Sequence, residues 1–185
     1  MRLFIASTFP DGILRDLNDR LSHVRSKLPS ASWVRHETQH LTYAFLGEQP
    51  DSLVETIEAP LIGALGKAPT FSAVLHGCGF FPHPRHARVG WIGLEPEQKF
   101  ADVAHAIRDV VRKEGVELDR ADFKAHLTLL RMRDRWPPAS IDLFQKTMRD
   151  YKSPPFTIDR VTLFSSQLNP KGAIHTPLRE FAMAT

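Results

Sequence analysis

His40-Leu41-Thr42-Tyr43 opens an apolar stretch that runs to Leu46-Gly47, and His126-Leu127-Thr128-Leu129 opens a second that runs to Leu130-Arg131. Each stretch alternates as a β-strand does. His and Thr stand two residues apart and so share one face, while Leu41 and Tyr43, or Leu127 and Leu129, point the other way. The phrase returns almost half a chain later, which predicts two similar lobes, each bringing one His-x-Thr strand to a common cleft.

The flanking segments support a mixed architecture. Leu3 to Ser7 reads as a buried strand, and Ile13, Leu14, Leu17, Leu21, Val24 and Leu28 recur at helical steps until Pro29 stops them. A short strand at 32–35 and a polar turn at 36–39 precede the first motif. Asp51 or Ser52 can cap a helix carrying Leu53, Val54, Ile57, Leu61 and Leu65 inward. Strands at 70–78 and 88–94 flank a Pro/His-rich loop, and a helix led by Pro96 and closed by Gly115 precedes the second motif. Pro137-Pro138 opens a last helix, and two strands, about 156–164 and 174–181, finish the chain. The expectation is an α+β fold of two antiparallel sheets lining a central cleft, helices on their outer faces, forming a single bilobal domain over 1–185.

Composition narrows the class. A chain of 185 residues, 42% hydrophobic and 24% charged, can bury a core without staples, and neither disorder nor coiled coil fits. The single cysteine, Cys78, excludes an intrachain disulfide. With no leader or long uncharged apolar run, a cytoplasmic, membrane-free and monomeric protein is expected. A net charge of +3 is too mild to argue for nucleic acid alone and suits a small anionic ligand equally.

Two imidazoles facing one another suit a reaction that removes one proton while delivering another, because a neutral ring accepts and a charged ring donates near neutral pH. In-line displacement at phosphorus has that need. Thr42 and Thr128, on the histidine faces, can hydrogen-bond phosphate oxygens. Arg131 lies five residues beyond His126, on the opposite face of an ideal strand, and joins them only if the strand end twists or bulges. The scheme requires neither metal nor cofactor.

The chain resembles the 2H phosphoesterase superfamily and, within it, the RNA 2′,3′-cyclic phosphodiesterases once described as 2′-5′ RNA ligases. The resemblance runs through Met1-Arg2-Leu3-Phe4-Ile5-Ala6, Trp33-Val34, Glu37, Phe45-Leu46-Gly47-Glu48, Phe80-Phe81-Pro82, Pro84-Arg85 and Phe123, besides both motifs and Arg131. It implies a bilobal pseudo-two-fold fold and metal-independent hydrolysis of 2′,3′-cyclic phosphate ends to 2′-phosphates, with reversible 2′-5′ RNA ligation as a further activity. By the same resemblance one histidine activates water and the other protonates the departing 3′ oxygen; His40 is taken as the proton donor and His126 as the proton acceptor, roles that the pseudo-symmetry allows to be exchanged. Lys124-Ala125 stands where the family usually has arginine and proline, and lysine lacks the forked guanidinium. Tyr43 replaces an aliphatic residue on the face away from the histidines.

Other constellations compete with this reading. His76, Cys78, His83 and His86 are the densest set of zinc-ligand types, though Pro82 and Pro84 constrain the loop between them. Arg133 and Arg135 extend the basic run of Arg131, as a solvated face or as a guide for an RNA end. Among the aromatic residues, Phe123, close to His126, is the expected base-stacking ring, ahead of Phe45 at the far end of its strand. The partner is then an RNA end or nucleotide bearing a 2′,3′-cyclic phosphate. Two alternatives stay open: a phosphodiesterase for a small cyclic phosphate, such as an ADP-ribose cyclic phosphate or a cyclic nucleotide, and a non-catalytic RNA-binding module.

Overall fold

A computed structural model gives the structure, which describes residues 1–169 and 172–185. In chain order the elements are β1 (Arg2–Ser7), α1 (Asp11–Arg25), β2 (Ser32–Trp33), β3 (Leu41–Glu48), α2 (Ser52–Leu65), β4 (Phe71–Phe81), β5 (Val89–Glu95), α3 (Glu97–Lys113), β6 (His126–Arg131), α4 (Pro138–Arg149), β7 (Phe156–Ile158), β8 (Arg160–Asn169) and β9 (Gly172–Ala182). Single 3-10 turns cover His36–Thr38 and Pro84–His86. The strands form two antiparallel sheets, ordered β3-β1-β8-β9 and β2-β6-β5-β4-β7. The two motif strands, β3 and β6, approach one another across the gap between the sheets. The α+β expectation holds.

Apolar spacing explains where the helices sit. Each buries the residues its three- and four-step pattern selects: Leu14, Leu17 and Leu21 in α1, Ile57, Leu61 and Leu65 in α2, Phe100, Ile107 and Val111 in α3, Phe144 and Met148 in α4. These side chains join Leu41, Tyr43, Leu127 and Leu129 in one contiguous apolar cluster fed by both sheets. Each large aliphatic side chain so buried contributes about 1.5–3 kcal/mol. The motif strands are therefore held from behind, and their polar faces are free to line the cleft.

Several boundaries differ from expectation, and β4 runs on to Phe81, into the segment read as loop. The first helix ends at Arg25, short of Leu28, where Lys27 N–H turns back to the Val24 carbonyl. The strand expected over 156–164 is two: Phe156 and Ile158 bury against β4 in one sheet, then the chain passes Asp159 and pairs with β1 in the other. A buried segment that changes sheets keeps its apolar pattern, so periodicity alone does not reveal the break. Asp51 precedes α2 without a capping hydrogen bond from its side chain.

Candidate active site

His40 directly precedes β3 and His126 opens β6, and both are braced alike. The Nδ1 of His40 lies 2.7 Å from the Thr38 carbonyl oxygen, and the Nδ1 of His126 lies 2.7 Å from the Lys124 carbonyl oxygen. A carbonyl only accepts, so each Nδ1 carries hydrogen and donates it, which leaves Nε2 of each ring for proton exchange. Both rings line a cleft of about 830 Å³ together with Thr42, Thr128 and Arg131. Neither threonine hydroxyl has a hydrogen-bond partner among the described residues.

The register of the strands explains how Arg131 arrives. Against β5, Trp91 pairs with Thr128 but the next residue, Gly90, pairs with Leu130, so Leu129 is an extra residue in β6. This bulge reverses the alternation, buries Leu129 and Leu130 in succession, and turns Arg131 to the face of His126 and Thr128. In β3 the same device follows the first motif. Ala6 pairs with Thr42 and Ile5 with Ala44, leaving Tyr43 extra, and Phe45 emerges on the face of Thr42. Phe45, ranked behind Phe123 for its place at the far end of the strand, therefore lines the cleft.

Phe123 is not a cleft residue. Its ring is stacked on Tyr43, centroids 6.2 Å apart, and packs on the core, so the base-stacking role expected of it has no support in its position. Tyr43 itself is buried, its hydroxyl 3.1 Å from Ser7 Oγ, as a packing residue. Lys124 gives its carbonyl to the His126 ring, while its Nζ pairs with Glu97 Oε2 at 2.8 Å. The four candidate zinc ligands do not converge: the Nδ1 of His76 bonds to the Tyr151 carbonyl, Cys78 faces the Gln145 carbonyl of α4, and the Nδ1 of His83 accepts from Arg85 N–H. Among the described residues no group of three His, Cys, Asp or Glu side chains can hold a metal ion.

The floor beneath the two histidines is aromatic. His40 lies over Phe4 at 4.9 Å, and Phe4 stacks on Phe164 at 5.2 Å; His126 meets Phe81 edge-on at 4.9 Å, with Trp91 at 6.2 Å. Burial against these surfaces pushes both pKa values down. For His40 the result is about 4: burial contributes most, the basic groups His175, Arg131 and His126 add to it, and the Thr38 hydrogen bond opposes it. His126 is lowered by burial, then by Arg131 and Lys124, against the Lys124 carbonyl bond. Burial thus favours the neutral form of both rings.

A third histidine, His175, also lines the cleft. It projects from β9, its ring T-shaped to His40 at 5.2 Å and to Phe4 at 4.9 Å, and its Nδ1 is buried without a hydrogen-bond partner among the described residues. No motif marks it. Only the pairing of β9 on β8, two strands away from β3, brings it to the site, with Ser166 opposite it in register.

The sequence pattern of the 2′-5′ RNA ligase superfamily matches residues 12–170. The chain belongs to that superfamily. Among its relatives, a protein of Archaeoglobus fulgidus named RNA 2′,3′-cyclic phosphodiesterase is 33% identical, aligned over 98% of this chain and 99% of its own. Another so named, from Thermotoga maritima, is 28% identical over 97% of this chain and 94% of its own. A crystal structure from Thermus thermophilus superposes with a TM-score of 0.81 at 26% identity, covering 99% of this chain and 98% of the other. Superfamily membership thus extends across both lobes and both motifs. No helix of the described residues is long and apolar enough to cross a membrane.

Proposed function

We propose that this chain is an RNA 2′,3′-cyclic phosphodiesterase, its two lobes working as one domain. The observation that carries the reading is the pair of histidines, each tied through Nδ1 to a carbonyl two residues earlier and each beside an unpartnered threonine hydroxyl in one cleft. The names of the relatives support the same substrate class. A cyclic phosphate seated between the rings has Thr42 and Thr128 on its free oxygens and Arg131 for its charge. A water oxygen attacks phosphorus as its proton passes to Nε2 of His126. The bond from phosphorus to O3′ breaks, and the Nε2 proton of His40 passes to O3′. The product is a 2′-phosphate with a free 3′-hydroxyl, one water having been consumed. When the 5′-hydroxyl of a second RNA strand attacks in place of water, O3′ is again displaced and the phosphate stays on O2′, which gives a 2′-5′ linkage.

As donor, His40 must first gain a proton. A bound phosphate anion brings an opposite charge beside the ring and so raises its pKa. One observation favours exchanged roles: a ring held at about 4 is the better-populated acceptor at pH 7. Limbs of a pH profile do not separate the two assignments, since either microstate gives the same bell. A 3′-bridging sulfur does. Thiolate departs without a proton, so His40→Ala is rescued on the 3′-thio cyclic phosphate when His40 is donor, and His126→Ala when His126 is. The function itself is tested with cyclic-ended oligonucleotides and 2′,3′-cyclic nucleotides in EDTA. A 2′-phosphate product is expected; no turnover of either substrate, or a 3′-phosphate, overturns the reading.

A further inference from the structure

Beyond the reacting centre, the cleft face of the first sheet continues as a shelf. In register across that sheet, Phe45 pairs with Phe4 and Arg2 pairs with Ser166, so all four side chains share the face that carries Thr42. Leu168, two residues past Ser166, extends the shelf to the cleft mouth. Phe45 is 44% exposed and Leu168 is 71% exposed, whereas Phe4 and Phe164 on the same face are buried. An open apolar shelf of this kind, placed inside a charged cleft, marks a binding surface. The Arg2 guanidinium lies 4.7 Å from the Phe45 ring centroid. No carboxylate lies within ion-pair distance of it among the described residues. Arg2, Arg35 and Arg131 all line the cleft, and no aspartate or glutamate among the described residues does.

Charge complementarity and shape specify the occupant. A single cyclic nucleotide brings one base and one phosphate, and the phosphate belongs between the histidines. An aromatic ring joined to an unpaired guanidinium, set apart from that centre, offers a second base a stacking surface and a second phosphate a counter-charge. The opposite wall also has an aromatic ring, Trp33, with the Arg25 guanidinium 5.0 Å from its centroid. That ring is half-buried against the core beside Leu130, while Phe45 is the more exposed ring, at the side where a longer strand can leave.

We infer that the Arg2–Phe45 shelf binds the nucleotide immediately upstream of the cyclic end, so that the substrate is an RNA strand and not a mononucleotide. The inference rests on the phosphodiesterase reading. Its test compares kcat/KM on a 2′,3′-cyclic mononucleotide with that on a trinucleotide ending in the same cyclic phosphate. Wild-type protein prefers the trinucleotide, and Phe45→Ala cuts that preference about tenfold, the scale of one lost base stack. Phe45→Trp retains it, and Arg2→Gln flattens the dependence of the preference on salt. A wild type without preference, or a preference unmoved by Phe45→Ala, overturns the shelf while leaving the phosphodiesterase reading intact. Absence of turnover on both substrates removes that reading, and the shelf with it. Thermal melts of each variant check the fold, which an exposed side chain outside the core is not expected to disturb.

Discussion

Five residues after its histidine, the first lobe places Phe45 in the cleft; five residues after its own, the second places Arg131. Both positions reach that face by one device, an extra residue directly after the His-x-Thr, Tyr43 in β3 and Leu129 in β6. The shared backbone gives the two lobes equal access to the reacting centre, and the side chains then divide the work. One lobe presents a π face and the other a fixed positive charge. The floors diverge as well: His40 stands beside a third histidine, His175, whereas His126 stands beside Phe81 and Trp91. Duplication therefore explains the geometry, while the differences between the copies carry substrate recognition and proton affinity.

The largest test of that comparison is removal of each ring. His40→Ala and His126→Ala should each lower kcat about a thousandfold, the usual worth of a positioned acid or base. A variant retaining near-normal kcat would show that its lobe only binds. Next comes stability against pH. His40 is held at about 4 in the folded chain against an ordinary 6.5, so its neutral form is favoured by folding. That contribution is complete above pH 6.5 and is lost as the pH falls toward 4, because the unfolded chain takes up the proton first. Between pH 7 and pH 4 the wild type should lose about 3 kcal/mol more than His40→Gln, read by chemical denaturation. His126→Gln should shift the difference in the same direction. Equal losses in wild type and His40→Gln would mean that His40 is not desolvated.

Much of this was legible in the residues. The α+β class, the helical faces and the two strands with His and Thr outward follow from periodicity, because burial selects side chains by their spacing. The bulges do not. Alternation assigns Arg131 and Phe45 to the wrong face, since an inserted residue changes the phase without changing composition; two adjacent buried residues, Tyr43-Ala44 and Leu129-Leu130, were the available hint. Closeness in sequence favoured Phe123, yet its neighbour in space is Tyr43. His175 was invisible for another reason: its place depends on strand order, a long-range property that no local pattern encodes.

Arg131 sharpens the division between the lobes. Arg131→Ala should cost about thirtyfold in kcat/KM, the scale of a charge-assisted hydrogen bond, and should do so equally on mononucleotide and trinucleotide. Arg131→Lys should recover part of it, since a point charge replaces a fork. A cost confined to the longer substrate would move Arg131 from the reacting phosphate to the strand upstream, and the two lobes would then share one task.

The smallest effect concerns the floor. Three basic groups face His40: Arg131 and His126 from β6 and His175 from β9, with the Thr38 carbonyl opposing them from its own segment. His175→Phe keeps an aromatic ring against Phe4 and removes only the charge. Protonating His40 then becomes easier, so its pKa should rise from about 4 by a fraction of a unit, observed by NMR titration of its ring proton and as an upward shift of the acid limb of kcat/KM. The titration of His126, lowered by burial and then by Arg131 and Lys124, should not follow. If both rings shift together, His175 acts by loosening the cleft; if only His40 shifts, the third histidine adds a charge term, on top of burial, that the second copy lacks.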